Sequence, residues 1–307
     1  MEGLRVGIVQ FAPGSDAGRN RDYLHVPLLG SAVADVVVLP EYSAFYHPDP
    51  SARAAGAEPL DGPFVKFLMG HSVKSGAVII AGFLEKACDR VFNTVIAVGP
   101  SGLLGRYRKI HLYDAFGARE SDFITAGSAT DPMLVIPVKG WKLGVQTCYD
   151  IRFPEVSRRL VDAGADVLVV PSDWVPGPRK VDHWTTLLTA RAIENVSWVV
   201  AANHAASSGT GHSMVIDPYG QVVVEAGDRI PADGRILDAT HLCDTSFWEA
   251  MDCFHGPVWA SHSNARALTP QELAPEHADN GAALEQRQVE RNARDLAAGK
   301  TDHQKAA

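Results

Sequence analysis

Three side chains that can act together on a carbonyl group, a thiol, a carboxylate and an ammonium, occur beside apolar, strand-like segments of this 307-residue chain. The thiol is that of Cys148, which comes directly after KLGVQT (142–147). The segment RFPE that starts at Arg152 marks the beginning of a helix, with its proline suited to the first turn. A thiol at such a strand-to-helix turn is exposed at the sheet edge, and the positive helix end favours its thiolate. We therefore predict that Cys148 is a nucleophile rather than a small core residue.

The carboxylate and the ammonium come from the first half of the chain. Glu41 directly follows the apolar run ADVVVLP (34–40), and ligands bind at this edge of open α/β sheets. Lys109 lies in GRYRKIHLYD, where basic and apolar residues alternate, so that one lysine side chain can point inward. Glu120, in the loop-like segment ARESDF, can pair with that lysine or be exposed to solvent. Together these residues offer a nucleophile, a proton carrier and a positive charge for a developing oxyanion.

Polar and aromatic side chains next to the same expected edge are candidates for substrate contacts. They are Tyr42, Asp150, Arg152, Asp173 and Trp174. Arg152 can hold a carboxylate as a bidentate fork, or it can form a salt bridge at the helix start. Trp174 can equally pack in the core or at an interface. These five residues are therefore predicted to surround the pocket.

The elements that must position these residues alternate between short apolar runs and longer amphipathic stretches. Six runs are typical of buried strands: ADVVVLP (34–40), GAVIIAG (76–82), NTVIAVG (93–99), KLGVQT (142–147), ADVLVVP (165–171) and SWVVAAN (197–203). Apolar residues recur at helical spacing in four stretches, 16–34, 62–75, 154–164 and 181–195. Helices are therefore expected to cover the sheets, which is an α/β layered architecture.

The two halves of the chain repeat one another. ADVVVLPEYS from Ala34 matches ADVLVVPSDW from Ala165, an offset of 131 residues. Each half then continues to a hairpin that turns on Pro-x-Gly, at residues 100–102 and 218–220. Buried strands can resemble one another without a common origin, but here four elements recur in the same order. Duplication predicts two sheets packed face to face with helices outside, a four-layer αββα sandwich with an internal pseudo-twofold axis.

Four sequence blocks resemble the nitrilase superfamily of carbon-nitrogen hydrolases, and in particular its amidase-like branch. The blocks are LPEYS around Glu41, GRYRKIHLYD around Lys109, GVQTCYDIRFPE around Cys148 and GHSMVIDPYG around Asp217, within residues 6–227. The resemblance implies the αββα sandwich and a Glu-Lys-Cys triad made of Glu41, Lys109 and Cys148. Glu120 matches a second glutamate of the family. The third block looks most like those of ω-amidases and deaminated glutathione amidases.

The resemblance also implies a reaction, the hydrolysis of a non-peptide C–N bond in a small amide to ammonia or an amine and a carboxylic acid. Glu41 is expected to take the Cys148 proton and to deliver one to the departing amine. Lys109 and the backbone N–H of Tyr149 are expected to stabilise the oxyanion before a thioester forms. Glu120 is expected to orient Lys109 and the substrate amide. The family implies no metal and no organic cofactor.

Composition argues against several other classes of protein. The 28 Lys and Arg residues against 36 Asp and Glu residues give a formal charge of −8, which does not favour binding to nucleic acid. Four cysteines are too sparse for a disulfide framework and favour a reducing compartment. No apolar run approaches the roughly 18 residues that span a bilayer, and the start of the chain lacks a signal-peptide pattern. We expect a cytoplasmic protein that binds a small-molecule amide, without nucleic acid or membrane partners.

Other interpretations of single residues remain open at this point. His111 or His204 can act as the base for Cys148 in a papain-like arrangement. The segment GTGHS (209–213) weakly resembles a phosphate loop, but it lacks the Walker lysine and is interpreted as a turn. Zinc accepts the ligands of a mirrored His-x-Cys and Cys-x-His pair, although the spacing is not that of a common zinc finger. The pair consists of His241, Cys243, Cys253 and His255.

The whole-chain alternatives concern substrate and assembly. The same triad would serve an N-carbamoyl amino acid amidohydrolase or a nitrilase. A non-catalytic scaffold is the alternative from another class, and the filled triad positions argue against it. Residues 1–265 are expected to form one hydrolase domain, and the charged tail 266–307 to be exposed or to pack on a partner subunit. Family members commonly pair, so a homodimer or a higher homo-oligomer is expected.

Overall fold

Short apolar strands form two six-stranded sheets. The computed structural model describes residues 3–30 and 34–226, together with the backbone of 246–252. The strands of the first sheet are β1 (Arg5–Phe11), β2 (Val36–Val38), β3 (Val78–Ala87), β4 (Arg90–Gly99), β5 (Gly102–Arg108) and β12 (Ser246–Asp252). Those of the second sheet are β6 (Val135–Val138), β7 (Trp141–Val145), β8 (Val167–Ser172), β9 (Trp198–Asn203), β10 (Met214–Ile216) and β11 (Val222–Glu225).

Both sheets follow the same plan. The strand order is β12-β1-β2-β3-β4-β5 in the first sheet and β6-β7-β8-β9-β10-β11 in the second. The first, second and third strands of each half pair in parallel, and the third, fourth and fifth pair antiparallel. An additional antiparallel strand flanks each half, β12 beside β1 and β6 beside β7. This matching order of pairings is the one that the duplication predicts.

Alternating burial along the strands produces three clusters of apolar side chains, one between the two sheets and one between each sheet and its helices. Val36 and Val38 of β2 lie in one cluster with Val169 of β8, so these side chains fill the space between the sheets. Val37 belongs to a second cluster with helices of the first half, and Leu168 to a third with helices of the second half. Each fully buried valine or leucine contributes roughly 1.5–3 kcal/mol. The successive layers are therefore helix, sheet, sheet and helix, as predicted.

Within the described residues five α-helices connect the strands, four of them at the stretches with helical spacing. They are α1 (Ala17–Gly30), α2 (Pro50–Arg53), α3 (Pro63–Ser75), α4 (Pro154–Asp162) and α5 (Lys180–Asn195). Proline occupies the first turn of α3 and α4, where its missing N–H has no intrahelical partner to lose. Gly76 ends α3 with φ at +79°, a left-handed conformation that glycine adopts without a Cβ clash.

The predicted elements are confirmed within the described ranges. Each of the six apolar runs overlaps one of the strands, and α1, α3, α4 and α5 occupy the four helical stretches. The Pro-x-Gly turns join β4 to β5 and β10 to β11, and GTGHS lies in the loop before β10. None of the helices in these ranges is long and apolar enough to cross a membrane.

Two sequence predictions concern residues that the structure does not describe. One is the tail 266–307, and the other is the histidine and cysteine group at 241, 243, 253 and 255. The extent of the hydrolase domain, 1–265, includes part of the same region. The tail and the domain extent stay predictions, and the zinc alternative stays open.

Candidate active site

Glu41 lies three residues beyond the end of β2, where strand β3 holds the chain close to the sheet. A Cβ atom at Gly82 of β3 would come within 2.6 Å of the Glu41 Cα atom, so only glycine permits this approach. The backbone N–H of Ser43 donates to the Gly82 carbonyl at 2.7 Å and fixes the turn. As a result the Glu41 side chain points inward and is 1% exposed.

The Glu41 carboxylate accepts three hydrogen bonds from groups distant in sequence. Its Oε1 accepts from Lys109 Nζ at 3.0 Å and from Asn93 Nδ2 at 2.6 Å. Its Oε2 accepts from the backbone N–H of Asp173 at 2.7 Å. Burial alone raises the pKa of Glu41, but the Lys109 ammonium and these donors together bring the pKa below its ordinary value. Glu41 is therefore ionised at neutral pH.

Lys109 follows β5 directly and lies on the inward side of the alternation, 2% exposed. Its ammonium contacts two carboxylates, Glu41 at 3.0 Å and Glu120 Oε2 at 2.9 Å. Burial lowers the pKa of Lys109, yet the two carboxylates outweigh burial and raise the pKa well above its ordinary value. The neighbouring Arg106 and Arg108 lie on the opposite face. The prediction of one inward lysine is confirmed.

Glu120 belongs to the site and is only 10% exposed. Its Oε2 accepts from Lys109 and from the backbone N–H of Tyr113 at 2.7 Å. Its Oε1 accepts from Asn93 Nδ2 at 2.9 Å and from the Tyr42 hydroxyl at 3.0 Å. Of the two alternatives left open by the sequence, pairing with the lysine is therefore the one observed.

Cys148 begins a single turn of 3-10 helix, Cys148–Arg152, three residues after β7 ends. Its φ angle is +47°, a left-handed conformation that costs a residue with a side chain about 1–3 kcal/mol. Its Sγ donates to the Asp173 carbonyl at 3.5 Å, and the residue is 7% exposed. The sharp turn expected from the sequence thus presents the thiol to the site beside Glu41.

The surroundings of Cys148 favour the protonated thiol over the thiolate that the helix end was expected to favour. Burial raises the pKa of the Cys148 thiol well above its ordinary value, and the adjacent Glu41 carboxylate raises it further, with Lys109 opposing. The helix whose positive end was expected to favour the thiolate, α4, begins at Pro154 as predicted, with the 3-10 turn between it and the thiol. At neutral pH a neutral Cys148 thiol consequently lies beside an ionised Glu41 carboxylate.

Most of the predicted site residues line one cavity of about 230 Å³. Those that do are Glu41, Tyr42, Lys109, Glu120, Cys148, Tyr149, Asp173 and Trp174. Two predicted substrate contacts, Asp150 and Arg152, are not among the lining residues. The cavity therefore combines the charged residues with aromatic walls, as expected of a pocket for a small molecule.

Asp150 is fully buried and holds the turn rather than facing the cavity. The Tyr107 hydroxyl donates to its Oδ2 at 2.8 Å. The backbone N–H of His111 donates to its Oδ1 at 3.0 Å, and the Asp150 side chain also caps the 3-10 turn. These contacts occupy both carboxylate oxygens, which explains why a residue so close to Cys148 in sequence is absent from the lining.

Arg152 lies near aromatic rings of the cavity wall but does not itself line the cavity. Its guanidinium carbon is 5.1 Å from the ring centroid of Trp174 and 5.7 Å from that of Tyr149. Its terminal nitrogen is 3.2 Å from His183 Nδ1. In the described part of the chain no carboxylate lies within 4 Å of it, so the alternative of a helix-start salt bridge is not observed there, and the contact to a substrate carboxylate stays a prediction.

The two histidines proposed as alternative bases have other partners. His204 Nε2 lies 2.6 Å from the backbone carbonyl oxygen of Glu41, and Nδ1 lies 3.3 Å from Asp173 Oδ1. His111 Nδ1 is 2.9 Å from Asp150, and its ring stacks on Phe153. Neither histidine is hydrogen bonded to Cys148 in the described ranges, which favours Glu41 as the base.

Several residues of the site were missed by the sequence reasoning. Asn93 bridges Glu41 and Glu120, and its polar side chain at the start of the apolar run NTVIAVG is a signal that could have indicated it. Arg53, Tyr113 and Lys180 line the cavity from a short helix, a loop and the first residue of α5. Their local sequence carries no pattern that marks them.

Comparison with known proteins agrees with this fold and site. The carbon-nitrogen hydrolase family model matches residues 5–231, and the chain therefore belongs to the carbon-nitrogen hydrolase family. A deaminated glutathione amidase of Escherichia coli O157:H7 is 36% identical over 233 residues, which cover 75% of this chain and 88% of that protein. The rat deaminated glutathione amidase is 35% identical over 219 residues, 65% of this chain and 64% of the relative. The protein is thus a carbon-nitrogen hydrolase with amidase relatives.

Solved structures show the same fold. A protein of the CN-hydrolase superfamily from Xanthomonas campestris, with an arsenic adduct in its active site, has a TM-score of 0.66 and 32% identity, covering 75% of this chain and 88% of that one. An amidase from Nesterenkonia sp. AN1 has a TM-score of 0.65 and 25% identity, covering 73% and 89%. That structure is a glutamate-to-glutamine mutant in which acrylamide has added to the active-site cysteine.

Proposed function

We propose that this protein hydrolyses small linear amides through a covalent thioester on Cys148, with Glu41 as the proton carrier and Lys109 as the positive charge. One observation carries the proposal. A buried carboxylate held ionised, a buried neutral thiol and a buried ammonium line the same cavity. A neutral thiol needs a base at the moment of attack, and an ionised carboxylate beside it is such a base.

In the first half-reaction the Cys148 proton moves to Glu41 as the sulfur attacks the amide carbon. The new C–S bond leaves a tetrahedral oxyanion, which the Lys109 ammonium and the backbone N–H of Tyr149 stabilise. Glu41 then returns its proton to the amide nitrogen, the C–N bond breaks, and ammonia or an amine leaves. The product on the enzyme is a thioester.

In the second half-reaction Glu41 takes a proton from water as the water oxygen attacks the thioester carbon. Collapse of this second oxyanion breaks the C–S bond, and the proton on Glu41 returns to sulfur. The carboxylic acid leaves and the starting state is restored. Glu120 positions the ammonium throughout, because it accepts one of the Lys109 hydrogen bonds at 2.9 Å.

The test is an ammonia-release screen with amides, N-carbamoyl amino acids and nitriles. Deaminated glutathione enters the amide set because the relatives are named for it. We expect release from amides by the native enzyme, none with Cys148→Ala, and an acyl adduct on Cys148 by intact mass after rapid quenching. Ammonia release retained by Cys148→Ala would overturn the proposal, and activity only on nitriles or carbamoyl compounds would reassign the substrate.

The identity of the base is tested by adduct formation in variants. Glu41→Gln is expected to abolish the thioester, whereas His111→Ala is expected to form it. His204→Ala is expected to form it more slowly, because His204 contacts the Glu41 backbone rather than the thiol. An adduct in Glu41→Gln and none in a histidine variant would instead favour the papain-like mechanism.

A further inference from the structure

The main chain of Asp173 contacts both the proposed base and the proposed nucleophile. Its N–H donates to Glu41 Oε2 at 2.7 Å, and its carbonyl oxygen accepts from Cys148 Sγ at 3.5 Å. Asp173 directly follows β8 and is buried. The alignment of the sulfur with its base therefore depends on where this one residue is held.

The side chain of Asp173 lies between two basic residues from different halves of the chain. Its Oδ1 is 3.3 Å from Nδ1 of His204, which follows β9. Its Oδ2 is 3.9 Å from Nη1 of Arg53, at the end of α2. Burial raises the pKa of Asp173 above its ordinary value, although the contacts with His204 and Arg53 oppose the rise. The buried carboxyl group is thus held from both sides.

The two basic residues are themselves fixed by further contacts. His204 Nε2 lies 2.6 Å from the backbone carbonyl oxygen of Glu41, and a carbonyl oxygen can only accept a hydrogen bond. Arg53 Nε donates to the backbone carbonyl of His47 at 2.6 Å, and its guanidinium carbon lies 4.4 Å from the ring centroid of Tyr46. Side chains locked in this way form a rigid frame around the Asp173 carboxyl group.

We propose that Asp173 is a positioning residue for the reaction. Its carboxyl group, held by His204 and Arg53, fixes the main chain that contacts both the base and the nucleophile. The inference rests on the proposed amidase function and extends it to a residue outside the triad. The sequence instead predicts a substrate contact for Asp173. The two roles can be told apart, because a positioning residue changes the rate of attack more than substrate binding.

The kinetic test is Asp173→Asn, which nearly keeps the size of the side chain and removes its charge. With an amide substrate, kcat is expected to fall by about 10-fold while KM changes by less than about 3-fold. Initial rates of ammonia release measure both quantities. A raised KM with unchanged kcat would assign Asp173 to substrate binding and overturn the inference. Unchanged values of both would overturn it too.

The matched control is Asp35→Asn, the same substitution at another carboxylate with a basic partner. Asp35 lies 2.7 Å from Lys139, directly precedes β2 and does not line the cavity. Its loss is expected to leave kcat and KM unchanged. An equal fall of kcat in both variants would indicate a general effect of losing a structural carboxylate, and the special role of Asp173 would be wrong.

A double-mutant cycle tests whether Arg53 acts through Asp173. Among the described residues Arg53 makes no hydrogen bond to Glu41 or Cys148, so its effect on the reaction has to pass through a neighbour. Arg53→Met is expected to lower kcat by about 5-fold in the native background and by less than about 2-fold in the Asp173→Asn background. The same loss in both backgrounds would contradict the frame around Asp173.

Alkylation of Cys148 tests the inference without turnover. The probe is methyl vinyl sulfone, which has no amide bond; sulfur bonds to its terminal alkene carbon, and the thiol proton ends on the carbon beside the sulfonyl group. Cys88 is an exposed free thiol and serves as the reference in the same molecule. Peptide mass analysis gives the rates at the two cysteines separately.

The direction of the change decides between position and charge. In addition to burial, the Glu41 and Asp173 carboxylates raise the pKa of Cys148, so loss of the Asp173 charge alone would make the thiol react faster. The positioning role predicts instead that Asp173→Asn slows alkylation of Cys148 by about 5-fold or more, with Cys88 unchanged. A faster or unchanged reaction overturns the inference. A slower one supports it even if no amide is hydrolysed, in which case only the proposed substrate class fails.

Discussion

Two buried glutamates of the first half, Glu85 in β3 and Glu41 after β2, differ in how completely their partners occupy the carboxylate oxygens. Glu85 of β3 accepts from Arg106 at 2.6 Å and from Arg108 at 2.7 and 2.8 Å, with Thr94 at 2.9 Å on the remaining position. The arginine fork covers both carboxylate oxygens, and the contacts are saturated. This cluster, Glu85 with Arg106, Arg108 and Thr94, is the structural cluster.

Glu41 has a more open set of contacts. One oxygen accepts from the Lys109 ammonium and an amide, the other from a backbone N–H, and a thiol lies beside it. This group, Glu41 with Lys109, Glu120 and Cys148, is the catalytic cluster. Arg106, Arg108 and Lys109 all come from one strand and the residue after it, and the alternation of side chains sends them to opposite faces. A buried ion pair is thus not itself a sign of catalysis. What distinguishes the catalytic cluster is that it faces a cavity and includes a nucleophile.

The largest expected effect comes from neutralising each glutamate. Glu41→Gln is expected to lower kcat/KM for an amide by about 10³-fold, because the proton carrier is lost. Glu85→Gln is expected to leave kcat/KM within about 3-fold and to lower the free energy of unfolding by about 2 kcal/mol, because partly exposed arginines lose their partner. Ammonia release and urea unfolding measure the two quantities. Equal losses of activity in both variants would remove the distinction between the clusters.

The next-largest effect is expected from exchanging lysine and arginine at one position in each cluster. In Lys109→Arg the planar guanidinium cannot occupy the site of a compact ammonium, and kcat is expected to fall by about 10²-fold. In Arg108→Lys the bidentate contact to Glu85 is lost, and unfolding is expected to be easier by about 1 kcal/mol with little change in kcat. An active Lys109→Arg enzyme would show that the Lys109 position needs only a positive charge.

A smaller effect is expected from removing one hydroxyl in each cluster. Tyr42→Phe deletes the group that donates to Glu120, and kcat is expected to fall by about 5- to 10-fold because Lys109 is less well positioned. Thr94→Val deletes the donor to Glu85 and is expected to cost about 1 kcal/mol of stability without loss of kcat. A Tyr42→Phe enzyme that loses stability but not activity would place Tyr42 with the structural cluster.

The smallest effect is expected from pH near neutrality. Burial raises the pKa of each glutamate, but the cations and donors around Glu41 and Glu85 outweigh it and bring both pKa values below 4.5. Each ionised glutamate therefore contributes stability above its unfolded pKa, and this stability is lost as pH falls through the lower folded pKa. The acid limb of kcat/KM is expected below pH 4.5, with less than about 2-fold change between about pH 6 and 8. Circular dichroism at each pH checks that the fold is intact, and an acid limb near pH 6 would contradict an ionised Glu41.

Local patterns in the sequence were sufficient for the six predicted strands, the four predicted helices and the repeated order of elements. Strand and hairpin signals depend on a few neighbouring residues, so runs such as ADVVVLP and turns such as that at 100–102 could be identified without coordinates. Glu41, Lys109 and Cys148 could be identified in the same way, because each lies at the end of such an element and within a contiguous motif block.

Only the tertiary structure decided which charges neutralise one another. Glu41 accepts from the Asp173 backbone 132 residues away, and burial of Cys148, together with the nearby Glu41 carboxylate, raises the pKa of its thiol. The structure likewise turned Asp150 and Arg152 away from the cavity and brought Lys180 into it. The physical reason is that a pKa and a pocket wall depend on burial and on charges a few ångströms away in space, most of which belong to residues far apart in the chain.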